Sequence, residues 1–288
     1  MRAKFGPAGR GDSFAEMGYK KYSQIGEYLS GFGLEHFEYQ CGHGVRISEK
    51  TASEIMISLS EMQISVSLHA PYFISLSSAE EEKRANSVGY ILQSAKAVNA
   101  LGGDRIVIHS GSCSKMPRSA ALELAKDTLK RARAALVENG LAHIHCCPET
   151  MGKINQLGDL NEVIELCRAD ESFIPCIDFG HLNARTAGGI KTKSDYEEIL
   201  EFIGNKLGAE RLQSFHSHFS KVEYTKNGGE KKHLTFHDKL FGPDFEPLLE
   251  LIAQKNLSPV IICESDGSQT EDAAAMRKYY QELLTKDS

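Results

Sequence analysis

A chain of 288 residues with 41% hydrophobic and 25% charged content is ordinary for a globular protein and long enough to close one large core. A formal net charge of −6 counts against a nucleic-acid binder that relies on basic side chains alone, unless bound divalent cations supply positive charge where a phosphate approaches. No stretch is apolar enough to cross a membrane, Met1 to Phe14 has no apolar signal core, and the seven cysteines lack a C-x-x-C pair, so the expectation is a cytoplasmic protein with reduced thiols.

Short β-branched or aromatic runs alternate with longer amphipathic segments. The predicted strands are Ala3–Gly6, His36–Gln40, Ile64–His69, Arg105–His109, His143–Glu149, Pro175–Asp178, Leu212–His218 and Pro259–Glu264. Between them Glu80–Leu101 spaces Val88, Ile91, Leu92, Ala95 and Val98 by threes and fours, the period of a helix with one apolar face. Ser119–Val137, Leu160–Arg168, Asp195–Lys206, Phe245–Gln254 and Thr270–Leu284 read the same way. Eight β-α units without a linker predict an α/β fold, a (β/α)8 TIM barrel in a single domain over residues 1–288, with a doubly wound open sheet as the alternative. The longest irregular stretch, Phe219–Asp244, is rich in Lys, Gly and Glu, and a loop of that length is functional or mobile.

In a barrel the chemistry sits at the C-terminal ends of the strands. Here six consecutive strands end in His69, His109, Glu149, Asp178, His216 and Glu264. One such residue alone more often caps a helix. Six around a single cavity would cost several kcal/mol apiece if unpartnered, and metal ions are the usual compensation. Mixed imidazole and carboxylate donors suit zinc or manganese, and a cluster explains six donors better than one ion does. Paired metals clamp the attacking and leaving oxygens of phosphoryl transfer, so phosphodiester hydrolysis is the expected chemistry, with Glu149 and Glu264 as its catalytic carboxylates.

The motifs HAPY (His69–Tyr72), IHSGS (Ile108–Ser112), PET followed by MG (Pro148–Gly152), ID-x-x-H (Ile177–His181) and ES (Glu264–Ser265) resemble, in order and spacing, the endonuclease IV family of apurinic/apyrimidinic endonucleases. The resemblance implies a first zinc on His69, His109 and Glu149, and a second on Glu149, Asp178, His216 and Glu264. It implies a third on His181 and an Asp-x-His pair. The chain departs from that pair: His233 supplies the imidazole, Lys231 stands where Asp belongs, and Glu230 is the expected substitute, with His218 or His237 as other donors. Two or three zinc ions per chain follow, manganese being the alternative. Tyr72 matches a residue that the family presses against the lesion, Phe73 would extend an apolar wedge, and Lys221 belongs to a basic loop able to meet phosphates. The implied partner is damaged double-stranded DNA, cut 5′ to an abasic site by a monomer. The rivals are a metal-dependent sugar isomerase or epimerase on the same barrel, and a non-catalytic lesion- or partner-binding barrel.

Overall fold

Strands β1 (Lys4–Pro7), β2 (His36–Gln40), β3 (Ser65–His69), β4 (Arg105–His109), β5 (His145–Glu149), β6 (Cys176–Asp178), β7 (His216–Phe219) and β10 (Val260–Cys263) form one sheet in the order β1-β10-β7-β6-β5-β4-β3-β2. Every neighbouring pair is parallel. This is a computed structural model, and it describes residues 2–286; Met1 and the last two residues, which the 1–288 expectation includes, lie outside the described residues.

The sheet closes on itself between β1 and β2. The Glu35 N–H donates to the Phe5 carbonyl at 3.1 Å, the Gly9 N–H donates to the Glu38 carbonyl at 2.9 Å, and Ala8 bridges Glu38 in parallel. Gly6 makes the seam possible: a Cβ there would sit 1.9 Å from the His36 carbonyl oxygen, so no larger residue fits. The fold is therefore the expected (β/α)8 barrel, not the open sheet.

Helices cover the barrel with their apolar faces inward. Glu81–Ala100 buries Ile91, Ala95 and Val98, and Arg118–Glu138 buries Ala121, Ala125, Leu129, Ala132 and Leu136. Glu49–Glu61, absent from the sequence reading, buries Ala52, Ile55 and Leu59 while leaving Ile57 and the adjacent Met62 exposed, which blurs its period. No helix among the described residues is long and apolar enough to cross a membrane.

Two segments differ from expectation. Leu212 does not start the seventh strand but lies in a short helix, Ala209–Gln213, entered through Gly208 at φ +90°; β7 begins at His216 and runs one residue past His218. The stretch Phe219–Asp244 is not wholly irregular. It contains an antiparallel hairpin, β8 (Lys221–Tyr224) and β9 (Glu230–Leu234), whose turn uses Gly228 and Gly229 at φ +80° and +99°.

Candidate metal centre

A cavity of about 370 Å³ opens at the C-terminal ends of β3, β4, β5 and β10, lined by His69, His109, Glu149, His181, His233 and Glu264 among others, with Asp178 of β6 and His218 of β7 fully buried beside them. Glu149, fully buried at the end of β5, is its centre. One carboxylate oxygen lies 3.3 Å from His69 Nε2 and 3.6 Å from His109 Nε2. The other lies 3.2 Å from His218 Nδ1 and 3.4 Å from His181 Nδ1. Burial alone would push this carboxyl up, but the imidazoles of His218, His181 and His69 outweigh it and hold it well below the usual carboxylate range. Glu264 behaves alike: burial opposes ionisation, His218 outweighs it, and the group is held at about 2. Asp178 lacks enough compensation, and burial pushes it up to about 6. His109 is pushed down to about 4, again by burial.

Local structure aims these donors. His69 Nδ1 contacts the Ala70 carbonyl at 2.8 Å, leaving Nε2 for the cavity. Asp178 caps the helix Phe179–Arg185, accepting the His181 N–H at 2.7 Å, and so brings the His181 ring to the rim. Across the cavity, the hairpin carries Glu230 and His233 to His181: Glu230 Oε2 is 3.6 Å from His181 Nε2, and the rings of His181 and His233 stand 5.2 Å apart. Gly152 leaves room for this approach, because a Cβ there would meet Glu230 Cβ at 2.6 Å. Arg185 and Arg118 pin the same loop by donating to the carbonyls of Ile154 and Gln156, among others.

Three groups of donors around the cavity each have their ligand atoms within 4.8 Å of one another: His69, Glu149 and His218; Glu149, Asp178, His218 and Glu264; and His181, Glu230 and His233. The donor set suits a divalent metal. Asp178 Oδ2 is buried without a hydrogen-bond partner, as expected of a site that a bound ion would complete.

Two residues lie elsewhere than their place in the sequence suggests. His216 is not with Glu149, Asp178 and Glu264; His218 is, while His216 groups with Cys176 and His218. Cα pairing sets Asp178 beside His218 and Cys176 beside His216, so His216 belongs to the layer below, where its Nε2 meets Glu38 Oε2 at 3.0 Å. Lys221 is not on the surface: it is buried, donates to the Asp238 carbonyl at 2.9 Å and pairs with Asp244 at 3.1 Å. Exposed Lys231 and Lys232 carry the hairpin's positive charge instead, both beside Glu223. Tyr72 and Phe73 are about half exposed at the rim, Tyr72 stacking on His109 at 5.2 Å and Phe73 packing edge-on against Tyr90. Glu38, fully buried on β2, was missed altogether, although it faces both His216 and His218.

The family model described as "Xylose isomerase-like TIM barrel" matches residues 27–283. The chain belongs to that family. An uncharacterized protein of Methanocaldococcus jannaschii is 36% identical to this chain over 217 residues, covering 75% of this chain and 77% of that protein. A probable endonuclease 4 of Mycoplasma pneumoniae is 28% identical over 203 residues, covering 68% of this chain and 65% of that protein. A probable endonuclease 4 of Methanosphaera stadtmanae is 26% identical over 176 residues, covering 60% of this chain and 59% of that protein. In fold, the chain superposes on a D-tagatose 3-epimerase-like protein with a TM-score of 0.72 at 20% identity, covering 99% of this chain and all of that one. It superposes on endonuclease IV from Thermus thermophilus with a TM-score of 0.67 at 18% identity, covering 99% of this chain and all of that one. At such identities these likenesses speak for the barrel and not for the chemistry.

Proposed function

We propose that this barrel is a zinc-dependent phosphodiesterase that cuts double-stranded DNA 5′ to an abasic site, acting as a monomer in the cytoplasm. The observation that carries the reading is the set of donors beyond what one ion needs: two groups sharing Glu149 and His218, with a third of His181, Glu230 and His233 alongside. A single divalent ion would use at most about four of these donors and would leave the third group unused. The relatives called endonuclease 4 support the same choice.

In this reading His69, His109 and Glu149 hold one ion, Glu149, Asp178, His218 and Glu264 a second, and His181, Glu230 and His233 a third. When bound, divalent ions would acidify water and neutralise the oxygens of a phosphate. The chain's own contribution is positional. Glu149 sits between the donor groups, Tyr72 offers an aromatic face at the cavity mouth, and Phe73 stands beside it as the wedge against a base step. Exposed Lys231 and Lys232 flank the mouth and offset the −6 net charge where a DNA backbone would lie.

The test is incubation with an end-labelled duplex containing one abasic-site analogue, with metal content measured on the same sample. The expected outcome is a single nick 5′ to the lesion leaving a 3′-hydroxyl, two or three zinc ions per chain, and activity lost to a chelator and restored by zinc. One manganese per chain with ketose epimerisation and no nick would establish the rival enzyme, and lesion binding without cleavage or metal would establish the non-catalytic one.

A further inference from the structure

We propose that Glu38 is a positioning residue for the ion assigned to His218, an inference that rests on the metal reading above. Glu38 meets the donor groups from below, through the far side of the His218 ring. Its Oε1 lies 3.0 Å from His218 Nε2, while His218 Nδ1 looks the other way, 3.2 Å from Glu149 and 3.4 Å from Glu264. The two nitrogens of one imidazole are thus divided between a buried carboxylate beneath and the donor group above. A neutral imidazole that binds metal through one nitrogen must carry its proton on the other, and a carboxylate at that second nitrogen fixes both tautomer and ring plane.

Glu38 is itself held in place. Its Oε2 accepts from Ser67 Oγ at 2.9 Å and meets His216 Nε2 at 3.0 Å, and its Oε1 accepts from Gln40 Nε2 at 3.1 Å. Ser67 in turn contacts His36 Nε2 at 3.0 Å. This polar layer spans β2, β3 and β7 inside the barrel, where an ionised side chain persists only with several partners. His218 Nε2 is the one group of the layer that approaches Glu38 without an aligned hydrogen bond. An ion held at Nδ1 would leave the Nε2–H to face Glu38, 3.0 Å away. His216, the residue that sequence placed on the metal, braces this carboxylate from the same strand.

The experiment is stepwise zinc release by a competing chelator at one fixed pH, for wild type, Glu38→Gln and Ser67→Ala, with nitrogen NMR of labelled histidines in the zinc-loaded proteins. Glu38→Gln should bind one ion about 10- to 100-fold more weakly and leave the others unchanged. Ser67→Ala should weaken the same ion by a few-fold, because it loosens Glu38 without removing its charge. In wild type the His218 ring should carry its proton on Nε2, a signature that a merely space-filling Glu38 would not control, and Glu38→Gln should disturb it. Equal affinities in wild type and Glu38→Gln, uniform weakening of every ion, or an Nδ1-protonated His218 would overturn the proposal. Should Glu38→Gln fail to fold, Ser67→Ala decides alone, and no change there overturns it. A wild-type chain that binds no zinc overturns the proposed function itself, which separates the two failures.

Discussion

Replacing Glu149 by Gln tests the centre of the site with almost no change of volume. The carboxylate is fully buried and its oxygens lie 3.2–3.6 Å from the four imidazoles of His69, His109, His181 and His218. The amide keeps the shape and removes the charge shared between the first two donor groups. Metal stabilisation of a phosphoryl transition state is worth several kcal/mol, and losing roughly 4 kcal/mol of it, at about 1.4 kcal/mol per tenfold, lowers turnover about a thousand-fold. Removing a buried charged partner also costs the metal-free protein about 3 kcal/mol. That is tolerable for a domain whose total stability is about 5–15 kcal/mol, so the variant should remain folded at 25 °C with a lower Tm. Cleavage of an abasic duplex under single-turnover conditions, zinc per chain and a circular-dichroism melt measure the three quantities. The zinc content should fall by at least one ion, while the group of His181, Glu230 and His233 keeps its own. A folded variant with full zinc and activity within tenfold of wild type would refute the shared-carboxylate argument.

His218→Ala should lose one metal ion and at least a hundred-fold in cleavage, whereas His216→Ala should keep its full metal count; the reverse pattern in metal analysis would restore the register read from sequence. His233→Ala should lower bound zinc by one per chain and slow cleavage about 10- to 100-fold with the other ions retained, and full occupancy in that variant would remove the third group from the site. Glu162 accepts from Arg118 at 2.6 and 2.7 Å and from the N–H groups of Gly158 and Asp159, and these partners outweigh burial and hold it below the usual carboxylate range. Its folded value is thus depressed, so its contribution is complete above about pH 4.3 and is lost as pH falls through the folded value. Glu162→Gln should cost about 2 kcal/mol at pH 7, discounted for the partly exposed Arg118, and the gap from wild type should narrow in urea melts as pH falls through the depressed folded value; a gap independent of pH would show that the carboxylate charge is not what holds the loop.

The strand ends were legible because barrel topology alone decides which end of a strand meets a cavity, and imidazoles and carboxylates recurring there need no tertiary detail to be noticed. Side-chain parity was legible too, and it is where the reading of β7 failed. His216 and His218 are two apart, so both face the interior; only pairing across the sheet, with Asp178 beside His218, tells the upper layer from the lower. The same parity should have exposed Glu38. His36, Glu38 and Gln40 alternate with Phe37 and Tyr39, and three polar residues on one face of a barrel strand are a signal of a polar interior. The hairpin obeys a subtler rule. Glu230 and His233 are three apart, which in a regular strand turns them to opposite faces. In β9 the pairing runs Val222 with His233, Glu223 with Lys232, then Tyr224 with Glu230, so Lys231 is an extra residue opposite none. That bulge restores a common face to Glu230 and His233 and sends Lys231 outward to Glu223. The added residue relative to an Asp-x-His spacing and the bulge are therefore one event: without the bulge, an insertion there would have carried the carboxylate away from His181. Deleting Lys231 should accordingly straighten the strand to a Glu-x-His spacing and keep both donors inward. Zinc per chain in that deletion should then equal the wild-type value, and loss of one ion would show that the bulge does more than restore the common face.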